Sequence, residues 1–74
     1  MKLPRVTGRE VVRALERAGF VSDRQRGAHV ILIHPQNRKR VSVPVHAGQT
    51  VKLGTLKGIL DDAGLSAEEF IKFL

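Results

Sequence analysis

Apolar positions along this 74-residue chain change period twice, from helical to alternating and back to helical. Val11, Val12, Ala14, Leu15 and Ala18 fall within a roughly 160° arc of a helix, with Arg9, Glu10, Arg13, Glu16 and Arg17 on the opposite side. Thr7-Gly8-Arg9-Glu10 has the capping-box spacing, Val6 and Val11 occupy the staple positions, and Gly19 is a natural terminator. The pattern predicts a helix over 7–18.

The period then shortens to two. Residues 20–25 read as a first strand, Arg26-Gly27 as a tight turn, and the β-branched run 28–34 as a second strand. Pro35 to Lys39 forms a turn rich in Pro and Asn. Residues 40–45 form a third strand with Val41, Val43 and Val45 on one face. Pro44 has no N–H to give to a ladder, so the strand ends or lies at an edge there.

Helical spacing returns after a loop over 46–53. Leu56, Ile59, Leu60 and Ala63 make the i, i+3, i+4, i+7 pattern before Gly64, and Ser66 to Glu69 is a second capping box with Leu65 and Phe70 as its staple. The last turns are expected to bury Phe70, Phe73 and Leu74. The order α-β-β-β-α-α implies an α+β two-layer sandwich: a three-stranded antiparallel sheet with both main helices on one face, the topology of double-stranded-RNA-binding domains. One domain over 1–74 is expected, with one modest core and an active site, if any, open on the surface.

Charge changes the picture because it is uneven. Residues 1–57 hold twelve of the thirteen lysines and arginines and three of the seven acids, so an excess of nine positive charges precedes a net-acidic tail. Such a basic body points to a polyanionic partner, most often nucleic acid. With three Phe and no Trp or Tyr, readers that stack single-stranded bases on aromatics match poorly, leaving RNA binding directed by shape and backbone. No cysteine is present, which excludes a disulfide framework or thiolate metal site. Neither a signal peptide nor a membrane-spanning run is visible, and a cytoplasmic protein without membrane contact is expected.

Candidate chemistry centres on Arg26-Gly27-Ala28-His29. Histidine moves protons near neutral pH, and His29 starts a strand directly from a glycine turn, where backbone can approach a phosphate. Arg24 and Arg26 stand within reach to neutralise that phosphate. His34, beside Pro35, reads as a turn residue, whereas His46 at the loop entrance can contact RNA. Arg38-Lys39-Arg40 forms the densest cationic run, a phosphate grip at a hairpin tip. Lys52 and Lys57 bracket the entrance to the helix after the loop, where the helix dipole also favours phosphate. His29 and His34 differ by five positions and so cannot share a metal on one regular strand. If His34 pairs with Arg40, His29 lies opposite Val45 and His46 projects to the other face; a one-residue slip reverses this. No metal or other cofactor is expected.

These segments in order resemble the HicA family of messenger-RNA-cleaving toxins. The matching pieces are Leu3-Pro4, Thr7-Gly8-Arg9-Glu10, Ala18-Gly19-Phe20, Gly27-Ala28-His29, Val43-Pro44-Val45-His46, Gly54-Thr55-Leu56 with Ile59-Leu60, and Ala63-Gly64-Leu65-Ser66 with Glu68-Glu69-Phe70. The resemblance implies a double-stranded-RNA-binding-like fold and a metal-independent endoribonuclease of a type II toxin–antitoxin system. It also implies one catalytic histidine, matching His29, and a HicB-type antitoxin that covers the active site. Ala28 stands where the family commonly has serine, which removes one hydroxyl from the turn. The residues alone admit two further readings: a non-catalytic RNA-binding module using the same surface, and a protein-interaction domain whose basic face meets an acidic partner.

Overall fold

Two reciprocal capping boxes set where helices begin. In the computed structural model, which describes residues 3–74, α1 (Gly8–Arg17) starts with Thr7 Oγ1 accepting from the Glu10 amide at 3.2 Å. Glu10 Oε1 accepts from the Thr7 amide at 2.8 Å in return. The same exchange links Ser66 and Glu69, at 3.1 and 2.9 Å, at the start of α3 (Ala67–Lys72). Between these helices lie β1 (Val21–Arg26), β2 (His29–Ile33), β3 (Arg40–Pro44) and α2 (Leu53–Ala63). The strands form one antiparallel sheet in the order β1-β2-β3, so the α+β order read from the sequence is the observed one.

The sheet's two faces have opposite characters. Leu32, Val41 and Val43 are fully or almost fully buried and join Val11, Ala14 and Leu15 of α1 and Leu56, Ile59, Leu60 and Ala63 of α2 in the core. Phe20, Val51 and Phe70 belong to the same cluster, Phe70 being its largest fully buried side chain. Along β2 and β3 the other face carries the pairs His29–Pro44, Ile31–Ser42 and Ile33–Arg40; among these six residues only Ile31 is buried. Leu74, expected inside, is 44% exposed because it lies beyond the Phe73 C-cap, in a surface groove with Val6, Arg13 and Arg17. Arg17 ties this end of the chain to α1, its guanidinium donating to the Phe73 carbonyl at 2.8 Å.

The β2–β3 register differs by one residue from a His34–Arg40 pairing. Ile33 faces Arg40, and His29 faces Pro44 rather than Val45. The turn's own hydrogen bonds account for the shift. The His34 amide donates to the Lys39 carbonyl, and the Arg38 amide donates to the His34 carbonyl, both at 2.8 Å. Asn37 Oδ1 accepts from the Lys39 amide at 2.9 Å, and Arg38 takes a left-handed φ of 61°. His34 thus closes the turn with Lys39, leaving Arg40 to Ile33.

The capping carboxylates make acid sensitivity predictable. Hydrogen bonds from the Thr7 backbone and side chain hold Glu10 below its ordinary pKa, and Ser66 does the same to Glu69. A carboxylate whose folded value is depressed stabilises the fold above its unfolded value, and that contribution is lost as pH falls through the folded one. We expect Glu10→Gln/Glu69→Gln to be less stable than wild type at neutral pH, with the difference shrinking below the usual carboxylate range. Denaturant titrations at neutral and acid pH measure this; a constant difference would contradict it.

Candidate functional site

The β1–β2 turn is built to bring His29 to the end of the sheet. Arg26 pairs with His29 across a two-residue loop whose first member, Gly27, has a φ of 57°. A glycine with positive φ at that position is what a type II′ hairpin requires, and such turns match the twist of the strands they join. Gln25 Nε2 donates to the Gly27 carbonyl at 3.2 Å. Ala28 works through its backbone, its carbonyl accepting from the Val45 amide at 2.6 Å.

That last bond carries the sheet's end past β3 towards His46. Pro44 and His46 are two residues apart, so the observed register puts His46 on the side of His29, as the one-residue slip requires. His29 and His46 line one cleft of about 390 Å³ with Pro44, Gln49, Thr50, Val51, Lys52 and Thr55. Both histidines are exposed. His46 also borders a neighbouring groove, which contains Thr7, Arg9 and Gln25. Gln49, Thr50 and Thr55 had no distinguishing sequence signal, because polar residues in a loop and first helical turn are ordinary.

The loop forming the cleft is fixed at both ends. The Val45 bond to Ala28 holds its start, and the Val51 amide donates to the Val6 carbonyl at 2.7 Å beside a Thr7–Thr50 bridge. Within it the Gln49 amide donates to the His46 carbonyl at 3.0 Å, and Gly48 takes a φ of 74°. α2 then begins at the cleft wall. Lys52 is its N-cap but forms no side-chain cap, and the first turn carries no acid. The amides of that turn and the Lys52 ammonium therefore present uncompensated positive charge to the cleft.

The other cations are distributed along the molecule. Arg26 lies directly opposite His29. Arg24 pairs with Ile31 farther along the sheet, and its Nε donates to Asp23 at 3.1 Å in the one ion pair among the described residues. Arg38, Lys39 and Arg40 sit at the opposite end of the sheet, beyond a strand of about 16 Å, and are not part of the cleft. Lys39 packs over the C-terminal end of α2, where a Cβ on Gly64 would meet its Cε at 3.0 Å. A cation there is favourable to the helix dipole. Lys57 borders a separate groove between α2 and α3 with Leu53, Leu60, Asp61 and Leu65. His34 is occupied in holding its own turn and the margin of the core. Its Nδ1 faces the amides of Gln36 and Asn37, and its ring stands edge-on to Phe20 at 5.1 Å.

No three histidine, cysteine or acidic side chains cluster for a metal among the described residues. No helix among them is long and apolar enough to cross a membrane. What the fold and cleft define is a small basic α+β module with histidines exposed beside a helix N-terminus. The family model described as the HicA toxin of bacterial toxin–antitoxin systems matches residues 8–65, more than half of the chain, and the protein belongs to that family. No curated protein matches the chain.

Gly8 links the helix layer to this site. A Cβ there would overlap the Pro44 carbonyl oxygen and press on the Val45 Cα at 2.9 Å. Gly8→Ala is expected to cost about 1–3 kcal/mol, the usual range for forcing atoms into a packed interior. It should also displace the segment carrying His46. Denaturation together with the NMR signals of the His46 ring tests both, and an unchanged His46 spectrum would contradict the coupling.

Proposed function

We propose that this toxin cleaves messenger RNA without a metal cofactor, with His29 as its catalytic histidine. The observation that supports this reading is an exposed His29 in a cleft that holds a lysine, a second histidine and an uncapped helix start but no carboxylate. RNA supplies its own nucleophile, the 2′-OH, so the protein's work is proton transfer and stabilisation of charge on phosphorus. His29 assists one of those transfers. Arg26, Lys52 and the first amides of α2 stabilise the phosphorane-like transition state, while Gly27 lets backbone come close to the chain being cut.

The remaining cations bind RNA farther from the cut. Arg24 extends the basic strip along β1, and Arg38, Lys39 and Arg40 hold phosphates at the far end of the sheet. Lys57 adds charge along α2. With no aromatic stacking platform among the cleft residues, recognition is mainly of backbone and shape. The partner is a HicB-type antitoxin that covers the cleft, and the site of action is the cytoplasm, where messenger RNA is translated.

The test is incubation of the purified chain with a structured messenger RNA in excess EDTA, beside a folded His29→Ala variant. Wild type is expected to leave 2′,3′-cyclic phosphate ends. The variant should be at least 10²-fold slower, given the usual worth of acid–base help. Both should bind RNA, with affinity falling steeply with salt. Salt-sensitive binding without cleavage by either would favour a non-catalytic RNA-binding module, for which Ala28 in place of the family's serine is the first suspect. Negligible RNA affinity beside tight binding to an acidic protein would favour an interaction domain.

A further inference from the structure

We propose that His46 is the second proton-transfer group of this site, the partner that His29 needs. The inference rests on the ribonuclease reading and supplies what that reading lacks. Cleavage at the 2′-OH requires a base at the nucleophile and an acid at the leaving 5′-oxygen on the opposite side of phosphorus. One ring performing both has to reach across the phosphate within a single displacement.

Among the groups around His29, only His46 can exchange a proton near neutral pH. The cleft is lined by His29, His46, Lys52, Gln49, Thr50 and Thr55, with Pro44 and Val51 as its apolar walls. Gln and Thr donate and accept hydrogen bonds but do not exchange protons in that range. Lys52 brings three donors and no acceptor and serves as a charge rather than a base. No Asp, Glu, Tyr or Cys lines the cleft. Around the histidines the charged neighbours are Lys52 on α2, Arg26 opposite His29 on β1, and Arg9 on α1 in the groove that His46 also borders. All are cationic.

The cleft brings the two rings together. His29 faces Pro44, the last residue of β3, and His46 follows two residues later in the loop, lining the same cleft. Two imidazoles on one cleft can approach a single phosphate from two directions. The bond from the Val45 amide to the Ala28 carbonyl ties together the segments that carry them.

In the cleavage step one ring begins neutral and accepts the 2′-OH proton as the 2′-oxygen bonds to phosphorus. The other begins as imidazolium and gives its proton to the 5′-oxygen as the P–O5′ bond breaks. The products are a 2′,3′-cyclic phosphate and a free 5′-hydroxyl, and the two rings have exchanged protonation states. Water restores them before the next turnover.

The experiment compares wild type, His29→Ala and His46→Ala, each with its fold verified by NMR, on an RNA containing a mapped wild-type cut site. Single-turnover rates are measured in EDTA across pH. A second substrate replaces the leaving 5′-oxygen by sulfur, which departs without an acid. We expect His46→Ala to lose 10²–10⁴-fold on ordinary RNA. The wild-type pH profile should be bell-shaped, each variant should lose one limb, and the sulfur substrate should restore one variant and not the other. If His29 is required and His46→Ala cleaves at the wild-type rate, or slows with both limbs intact, this inference fails and the ribonuclease reading stands. A wild type that does not cleave overturns both.

Discussion

The pairing of β2 with β3 is the constraint on which the rest of this small structure depends. With Ile33 opposite Arg40, Leu32, Val41 and Val43 enter the core together, and His29, Pro44 and His46 share the other side. Strand side chains alternate, so one residue of slip between the strands would separate the two histidines. The turn enforces the register with two 2.8 Å backbone bonds between His34 and residues 38 and 39. Holding it also requires a left-handed conformation at Arg38, which glycine adopts more readily. A strained turn at one end of the sheet thus positions the histidines at the other.

Much of the fold was legible because its signals are local. Capping boxes at Thr7–Glu10 and Ser66–Glu69 and the αL glycine after α2 mark helix ends by short-range hydrogen bonding, and both boxes formed as read. Alternation at Val41 and Val43 identified the inner face for the same reason. Register was not legible. It is decided by the Asn37 side chain and the backbone of a five-residue turn, and the sequence allowed either pairing.

The candidate site was legible to a similar depth. His29 was marked by its glycine turn and flanking arginines, and its place at the end of a strand requires only the hairpin. His46 gave no comparable sign, since its relation to His29 passes through the register. Cations were the least informative. Lys39 lies over the end of α2 and Lys57 borders the α2–α3 groove, so a count of basic residues does not say which meet the cleft.

The cleft's construction also bears on how the proposed activity would be controlled. A domain of this size cannot enclose a substrate, so the histidines are exposed and the groove beside them is open. The segment that forms the wall is held by Val45 on Ala28 and by Val51 on Val6, with Val51 itself in the core. A loop anchored in this way at both ends is poorly suited to swing over the site as a lid, because opening it would break the sheet's end and expose Val51. Preorganisation serves catalysis, since charge stabilisation is most effective from groups that need not move. It also leaves the chain with little means of switching itself off. On the proposed ribonuclease reading, restraint would come from a separate molecule, and the toxin–antitoxin family to which the chain belongs implies one.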